Sequence, residues 1–120
     1  MFELTVSDEI AAAHFLPGYQ GKCRQLHGHN WKIEVSIVAG QLDESGMVMD
    51  FKEVKKRLKA FLEHLDHGCF NDLPAFQTVP PTTENLAKYI FFGFSKELQP
   101  HKLKLVRVWE SERSCITYHG

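Results

Sequence analysis

Three of the chain's seven histidines, His14, His27 and His29, fall in one short stretch. Imidazole is the side chain that is both neutral near physiological pH and a strong ligand for divalent metal. His27 and His29 flank Gly28, and residues two apart on a strand point to the same face, so both rings can share one ion. His14 reaches the same point if it closes an earlier strand that is the antiparallel neighbour of the first. Three histidines with no fourth cysteine or histidine nearby match a catalytic zinc centre with an open position better than a closed structural one. The plainer reading is two solvent-facing histidines and one core histidine. It leaves unexplained why all three gather around a single glycine- and cysteine-bearing loop.

Other reactive groups lie within reach in sequence. Cys23 sits between Lys22 and Arg24, four residues before His27, and is a candidate general base; an ordinary loop cysteine is the alternative. Asp66-His67 follows an expected helix directly, where a histidine gains from the helix C-terminal dipole and a carboxylate can orient an imidazole. Adjacent side chains seldom bond each other, and simple helix-end capping would account for this pair, as it would for His64. Glu110 ends an otherwise apolar strand, Val106-Arg107-Val108-Trp109, and a carboxylate there can accept two N–H donors from a ligand or merely face solvent. Cys69 and Cys115 have no activating neighbours.

The elements that must position these groups follow from periodicity. Phe2, Leu4, Val6 and Ile10 predict a strand over about 2–12, and Trp31, Ile33, Val35 and Ile37 alternate with polar residues in a second over about 29–39. The loop Pro17-Gly18 to Gly21 makes them antiparallel neighbours. Asp50 followed by Glu53 resembles a capping box, and Phe51, Val54, Leu58, Phe61, Leu62 and Leu65 recur at helical spacing, predicting a helix over about 51–65. Pro80-Pro81 closes the next loop and Thr82 or Thr83 caps a second helix, with Leu86, Ala87, Ile90, Phe91, Phe94 and Leu98 as its apolar stripe and Pro100 as its stop. Leu103 to Glu110 and Cys115 to Tyr118 read as a closing hairpin. The order ββααββ predicts an α+β fold, an antiparallel four-stranded sheet with both helices on one face. An open sheet of that size leaves two edges that invite pairing with other copies.

Composition narrows the remaining choices. A chain of 120 residues, 43% hydrophobic, suits a single catalytic domain over residues 1–120. The formal net charge of -1 gives no general reason to bind nucleic acid or an anionic membrane. The N-terminus carries no secretory pattern, no run is long and apolar enough to span a bilayer, and three cysteines at long spacings argue against a disulfide framework, so a cytoplasmic location is expected. A small molecule is the expected partner.

Taken together, Ala12-Ala13-His14, Cys23 with His27-Gly28-His29, Leu65-Asp66-His67, Pro81-Thr82-Thr83-Glu84-Asn85 and the late Glu110 resemble the 6-pyruvoyl-tetrahydropterin synthase family, in order and spacing through nearly the whole chain. The short length and the Cys-x-x-x-His-Gly-His arrangement are most similar to its bacterial 6-carboxy-5,6,7,8-tetrahydropterin synthase branch, which serves the queuosine pathway. The resemblance implies a tunnelling fold whose sheets join around an axis, a homohexamer built as a dimer of trimers, and active sites between subunits. It implies that His14, His27 and His29 hold zinc, that Cys23 is the catalytic base and that Asp66 and His67 form a proton-transferring dyad. It further implies that Glu110 anchors a pterin ring whose pocket Thr82 and Thr83 line. Ile10-Ala11 and Ser111 depart from the family's usual residues without touching that chemistry.

The substrate so implied is 7,8-dihydroneopterin triphosphate, converted to 6-carboxytetrahydropterin, acetaldehyde and triphosphate. Relatives serving folate synthesis carry glutamate in place of the cysteine, so Cys23 argues against that branch. Three alternatives stay open: a 6-pyruvoyl-tetrahydropterin synthase eliminating triphosphate from the same substrate, a plain zinc hydrolase in which Cys23 and Glu110 are incidental, and a non-catalytic zinc-binding protein.

Overall fold

The two alternating segments form long paired strands, β1 (Phe2–His14) and β2 (His27–Ala39), in a computed structural model that describes residues 1–120. The helices α1 (Phe51–Leu62) and α2 (Thr83–Glu97) follow, then a hairpin of β3 (Lys102–Ser111) and β4 (Ser114–Tyr118). The four strands form one antiparallel sheet in the order β1-β2-β3-β4, so the expected ββααββ arrangement is the observed one.

Register decides which residues meet. Leu4, Val6 and Ile10 of β1 stand opposite Ile37, Val35 and Trp31 of β2, and all six are buried. Val106 and Val108 of β3 pair with Val35 and Ile33 on the same face. Val54, Leu58 and Leu62 of α1 and Leu86, Ala87, Ile90 and Phe94 of α2 cover that face and complete one hydrophobic core. The two helices approach closely at Gly93, where an added Cβ would lie 2.5 Å from the Phe61 ring. No helix is long and apolar enough to cross a membrane.

Local chemistry sets the helix starts. Asp50 accepts from Lys52 N at 2.8 Å at the head of α1, and the Thr82 hydroxyl accepts from Asn85 N at 3.1 Å at the head of α2. Two boundaries differ from the periodicity. Both strands run on to the metal-candidate histidines, because Ala13↔Gly28 and His14↔His27 continue the ladder. Helix α1 stops at Leu62, short of the expected Leu65, as the amides of Leu65 and Asp66 turn back to the Leu62 carbonyl. Leu65 stays buried, and the chain is released to dock on β1.

The opposite face of the sheet carries a polar network centred on Glu34, whose side chain is only 14% exposed. Arg107, its cross-strand partner, donates at 3.0 Å, the Trp109 indole at 3.1 Å, and Lys32 lies 3.1 Å away. Burial alone would raise the Glu34 pKa, but the hydrogen bonds from Lys32, Arg107 and Trp109 outweigh it and hold the carboxyl below its ordinary range. A lowered folded-state value stabilises fully above the unfolded carboxylate pKa and is lost as pH falls through the folded one. Glu34→Gln is therefore expected to cost about 1–3 kcal/mol at neutral pH. Urea denaturation of both proteins across pH checks it: the difference should shrink steadily in acid.

Candidate metal centre

The core face of the sheet ends in the histidine cluster. His14 is the direct cross-strand partner of His27, and His29 stands opposite Ala12, so all three rings project from one face at the hairpin end of β1 and β2. Ring centroids lie 4.6 Å apart for His14 and His27, 4.9 Å for His27 and His29, and 5.5 Å for His14 and His29. One nitrogen from each ring lies within 4.8 Å of the others. Beneath them sits Trp31, fully buried, with its ring edge-on to His14 and His29 and its indole N–H donating to the Ala12 carbonyl at 3.1 Å.

Backbone carbonyls set the tautomers. His14 Nδ1 lies 2.8 Å from the Pro81 carbonyl and His27 Nδ1 lies 2.7 Å from the Gln25 carbonyl. A carbonyl only accepts, so each Nδ1 carries the proton and each Nε2 keeps a free lone pair. The Nε2 atoms of His14, His27 and His29 are buried and have no hydrogen-bond partner. Three unpartnered ring nitrogens converging on one point, at least two of them acceptors, are costly unless something fills it. Burial, first of all, pushes the His14 imidazole below its ordinary range, opposed by the Pro81 carbonyl and reinforced by His27. Burial likewise lowers His29, with Glu110 opposing. Neutral rings anchored through Nδ1 with Nε2 free are the state that a divalent metal binds, and the donor set suits zinc.

Glu110 approaches this cluster from β3. Its Oε1 is 3.6 Å from His29 Nε2, too long for a hydrogen bond, while Oε2 accepts from the Thr83 hydroxyl at 2.8 Å. The start of α2 thus touches the cluster twice, through the Pro81 carbonyl on His14 and through Thr83 on Glu110. The hydroxyl of Thr82 instead caps the helix.

Asp66 and His67 lie elsewhere, on the outer edge of β1. Asp66 Oδ1 accepts from Ala11 N at 2.9 Å, His67 N donates to Ala11 O at 2.6 Å, and Ala13 N donates to Gly68 O at 2.9 Å. The pair is therefore no helix-end cap: α1 has ended at Leu62, and the expected gain from its dipole gives way to edge docking. Nor are the two side chains independent, because His67 at φ 59° turns its ring back so that Nδ1 lies 3.0 Å from Asp66 Oδ1. The Ala11 amide above all holds the Asp66 carboxyl below its usual range, and the His67 contact adds to this. Cys23 occupies a single 3₁₀ turn, Lys22–Arg24, in the loop joining β1 to β2, and its carbonyl accepts from Leu16 N at 2.8 Å.

The sequence singled out every side chain named here except Trp31, which it read only as a strand residue. It missed the carbonyls of Pro81 and Gln25, for which side-chain identity carries no signal. Zinc at about a hundredfold excess over its Kd should stabilise the fold by about 2.7 kcal/mol, reversibly with a chelator. His27→Ala, at a half-buried position, should keep the fold and abolish that rise; thermal denaturation with and without zinc checks it.

Comparisons with known proteins bear on the chain's family and fold. The sequence model of the family described as 6-pyruvoyl tetrahydropterin synthase matches residues 3–120. The chain is 42% identical over 112 residues to the 6-carboxy-5,6,7,8-tetrahydropterin synthase of Synechocystis, spanning 89% of this chain and 84% of that one. It is 39% identical over 105 residues to the 6-pyruvoyl tetrahydrobiopterin synthase of Homo sapiens, spanning 83% and 72%. The structure of the Caenorhabditis elegans 6-pyruvoyl tetrahydropterin synthase superposes with a TM-score of 0.88 at 29% identity, over 99% of this chain and 95% of that one.

Proposed function

The chain belongs to the 6-pyruvoyl tetrahydropterin synthase family, and on that premise we propose that it is a zinc-dependent lyase, a 6-carboxy-5,6,7,8-tetrahydropterin synthase of queuosine (7-deazapurine) biosynthesis. Its substrate is 7,8-dihydroneopterin triphosphate, and its products are 6-carboxytetrahydropterin, acetaldehyde and triphosphate. The observation that carries this reading is the trio of buried, unpartnered Nε2 atoms with the Glu110 carboxylate beside them.

In this reading His14, His27 and His29 hold zinc through Nε2. Zinc, when bound, supplies a Lewis acid that acidifies the substrate's side-chain hydroxyls and stabilises the charge left behind. Glu110 accepts two N–H donors from the pterin ring, with its Oε2 aimed by Thr83, and Thr82 lines the ring pocket. Cys23 removes a proton from the substrate side chain while Asp66 and His67 carry protons elsewhere, moving the redox level from side chain to ring as triphosphate leaves. Addition of water to the resulting side-chain dicarbonyl and cleavage of the bond between its two carbonyl carbons then release acetaldehyde and leave the carboxyl group.

The working unit is a homohexamer, a dimer of trimers, in the cytoplasm, with each site completed by a neighbouring subunit. Two features support an assembly: β4 ends the sheet with an unpaired edge, and the His67 side chain is 81% exposed, open to a second chain. A second reading, a 6-pyruvoyl tetrahydropterin synthase, draws on the human relative of similar identity.

Incubation of zinc-loaded protein with 7,8-dihydroneopterin triphosphate tests both. Acetaldehyde together with a carboxylated pterin supports the first reading, a pyruvoyl product the second, and no turnover of any pterin overturns both. Cys23→Ala should lower kcat by about 10²–10⁴-fold with zinc still bound. Glu110→Gln should lower kcat/KM by about ten- to hundredfold, mostly through KM, because it weakens ring binding rather than proton transfer.

A further inference from the structure

Beyond Ala13 the outer edge of β1 has a side chain for a partner. Asn71 Oδ1 accepts from Phe15 N at 3.0 Å, and Asn71 Nδ2 donates to Phe15 O at 2.9 Å. One carboxamide thus satisfies both polar groups of one residue, as a neighbouring strand would. The arrangement needs one donor and one acceptor, which assigns the amide orientation. Asn71 is itself held in place. It lies in the turn Phe70–Asp72, next to the fully buried Phe70, and its own carbonyl accepts from Gln77 Nε2 at 2.9 Å.

Phe15 is the first residue after His14 and the point from which the Cys23 loop departs. The next amide, Leu16 N, donates to Cys23 O at 2.8 Å. Two consecutive residues therefore connect the Asn71 carboxamide to the backbone of Cys23. His14 is secured independently, by its strand pairing with His27 and by the Pro81 carbonyl. We propose that Asn71 is a positioning residue, whose clamp on Phe15 fixes the exit of the loop from β1 and so aims Cys23 at the metal cluster. The catalytic half of this rests on Cys23 being the base; the ordering of the loop does not.

Two variants separate a clamp from simple space-filling. Asn71→Asp keeps the shape but turns an oxygen toward the Phe15 carbonyl, and Asn71→Ala removes both bonds. Circular dichroism and zinc binding should be unchanged in both, while tryptic cleavage after the exposed Lys22 and Arg24 should quicken by about tenfold or more. Turnover of the pterin triphosphate should show kcat down by about 10²-fold with KM held. Wild-type proteolysis and kcat in Asn71→Asp would sink the clamp, even if Asn71→Ala misfolds. A kcat loss matched by zinc loss would overturn the aiming of Cys23 in favour of a role through His14. If the wild-type protein turns over no pterin, the functional reading fails, and proteolysis alone still decides whether the clamp orders the loop.

Discussion

The cross-strand pair His14↔His27 is the constraint on which the rest of the structure depends. Side-chain direction alternates along a strand, so a slip of one residue between β1 and β2 would send one strand's apolar set to the wrong face and carry its histidines with it. The register is held by Leu4, Val6 and Ile10 packing with Ile37, Val35 and Trp31, from the distant end of the ladder up to the indole beneath the cluster. The hydrophobic core and the candidate metal centre are therefore two ends of one ladder, and what stabilises the first aligns the second.

A cluster of three nearly touching imidazoles is poor packing by itself. It leaves three ring nitrogens without partners in a buried place, where each unsatisfied group costs about 1–3 kcal/mol. The surroundings commit to that state rather than relieve it. The carbonyls of Pro81 and Gln25 fix the ring protons on Nδ1, Trp31 closes the floor, and Thr83 turns Glu110 toward the opening. Two of those contacts come from the first turn of α2 and the residue before its cap, so the helix that seals the core also organises the site. A scaffold whose strain gathers at one spot is a scaffold organised for a ligand.

Three further segments attach to the outer edge of β1 or to its end: the Asp66–His67 turn on Ala11, Gly68 on Ala13, and Asn71 on Phe15. They occupy the last part of that edge, from Ala11 onward, where open backbone groups would otherwise invite indiscriminate pairing. The same docking brings the acid and imidazole of Asp66-His67 to a strand whose far side carries His14. Helix α1 has ended at Leu62 before this docking begins.

Periodicity and residue chemistry were enough to read the ββααββ order, the cap of α1 and two candidates for that of α2, the hairpin and the side chains that gather at the candidate metal centre. Each of these depends on local pattern: alternation for strands, a 3.6-residue repeat for helices, and ligand type at i and i+2 for the cluster. Tertiary structure alone decided the rest. The last ladder pairs that draw both strands out to the histidines, the end of α1, the left-handed turn that lets His67 meet Asp66, and the carbonyls that set the tautomers all depend on which distant backbone arrives alongside. A backbone carbonyl is the same group in every residue, so its part in a site is written in the path of the chain and not in the letters of the sequence.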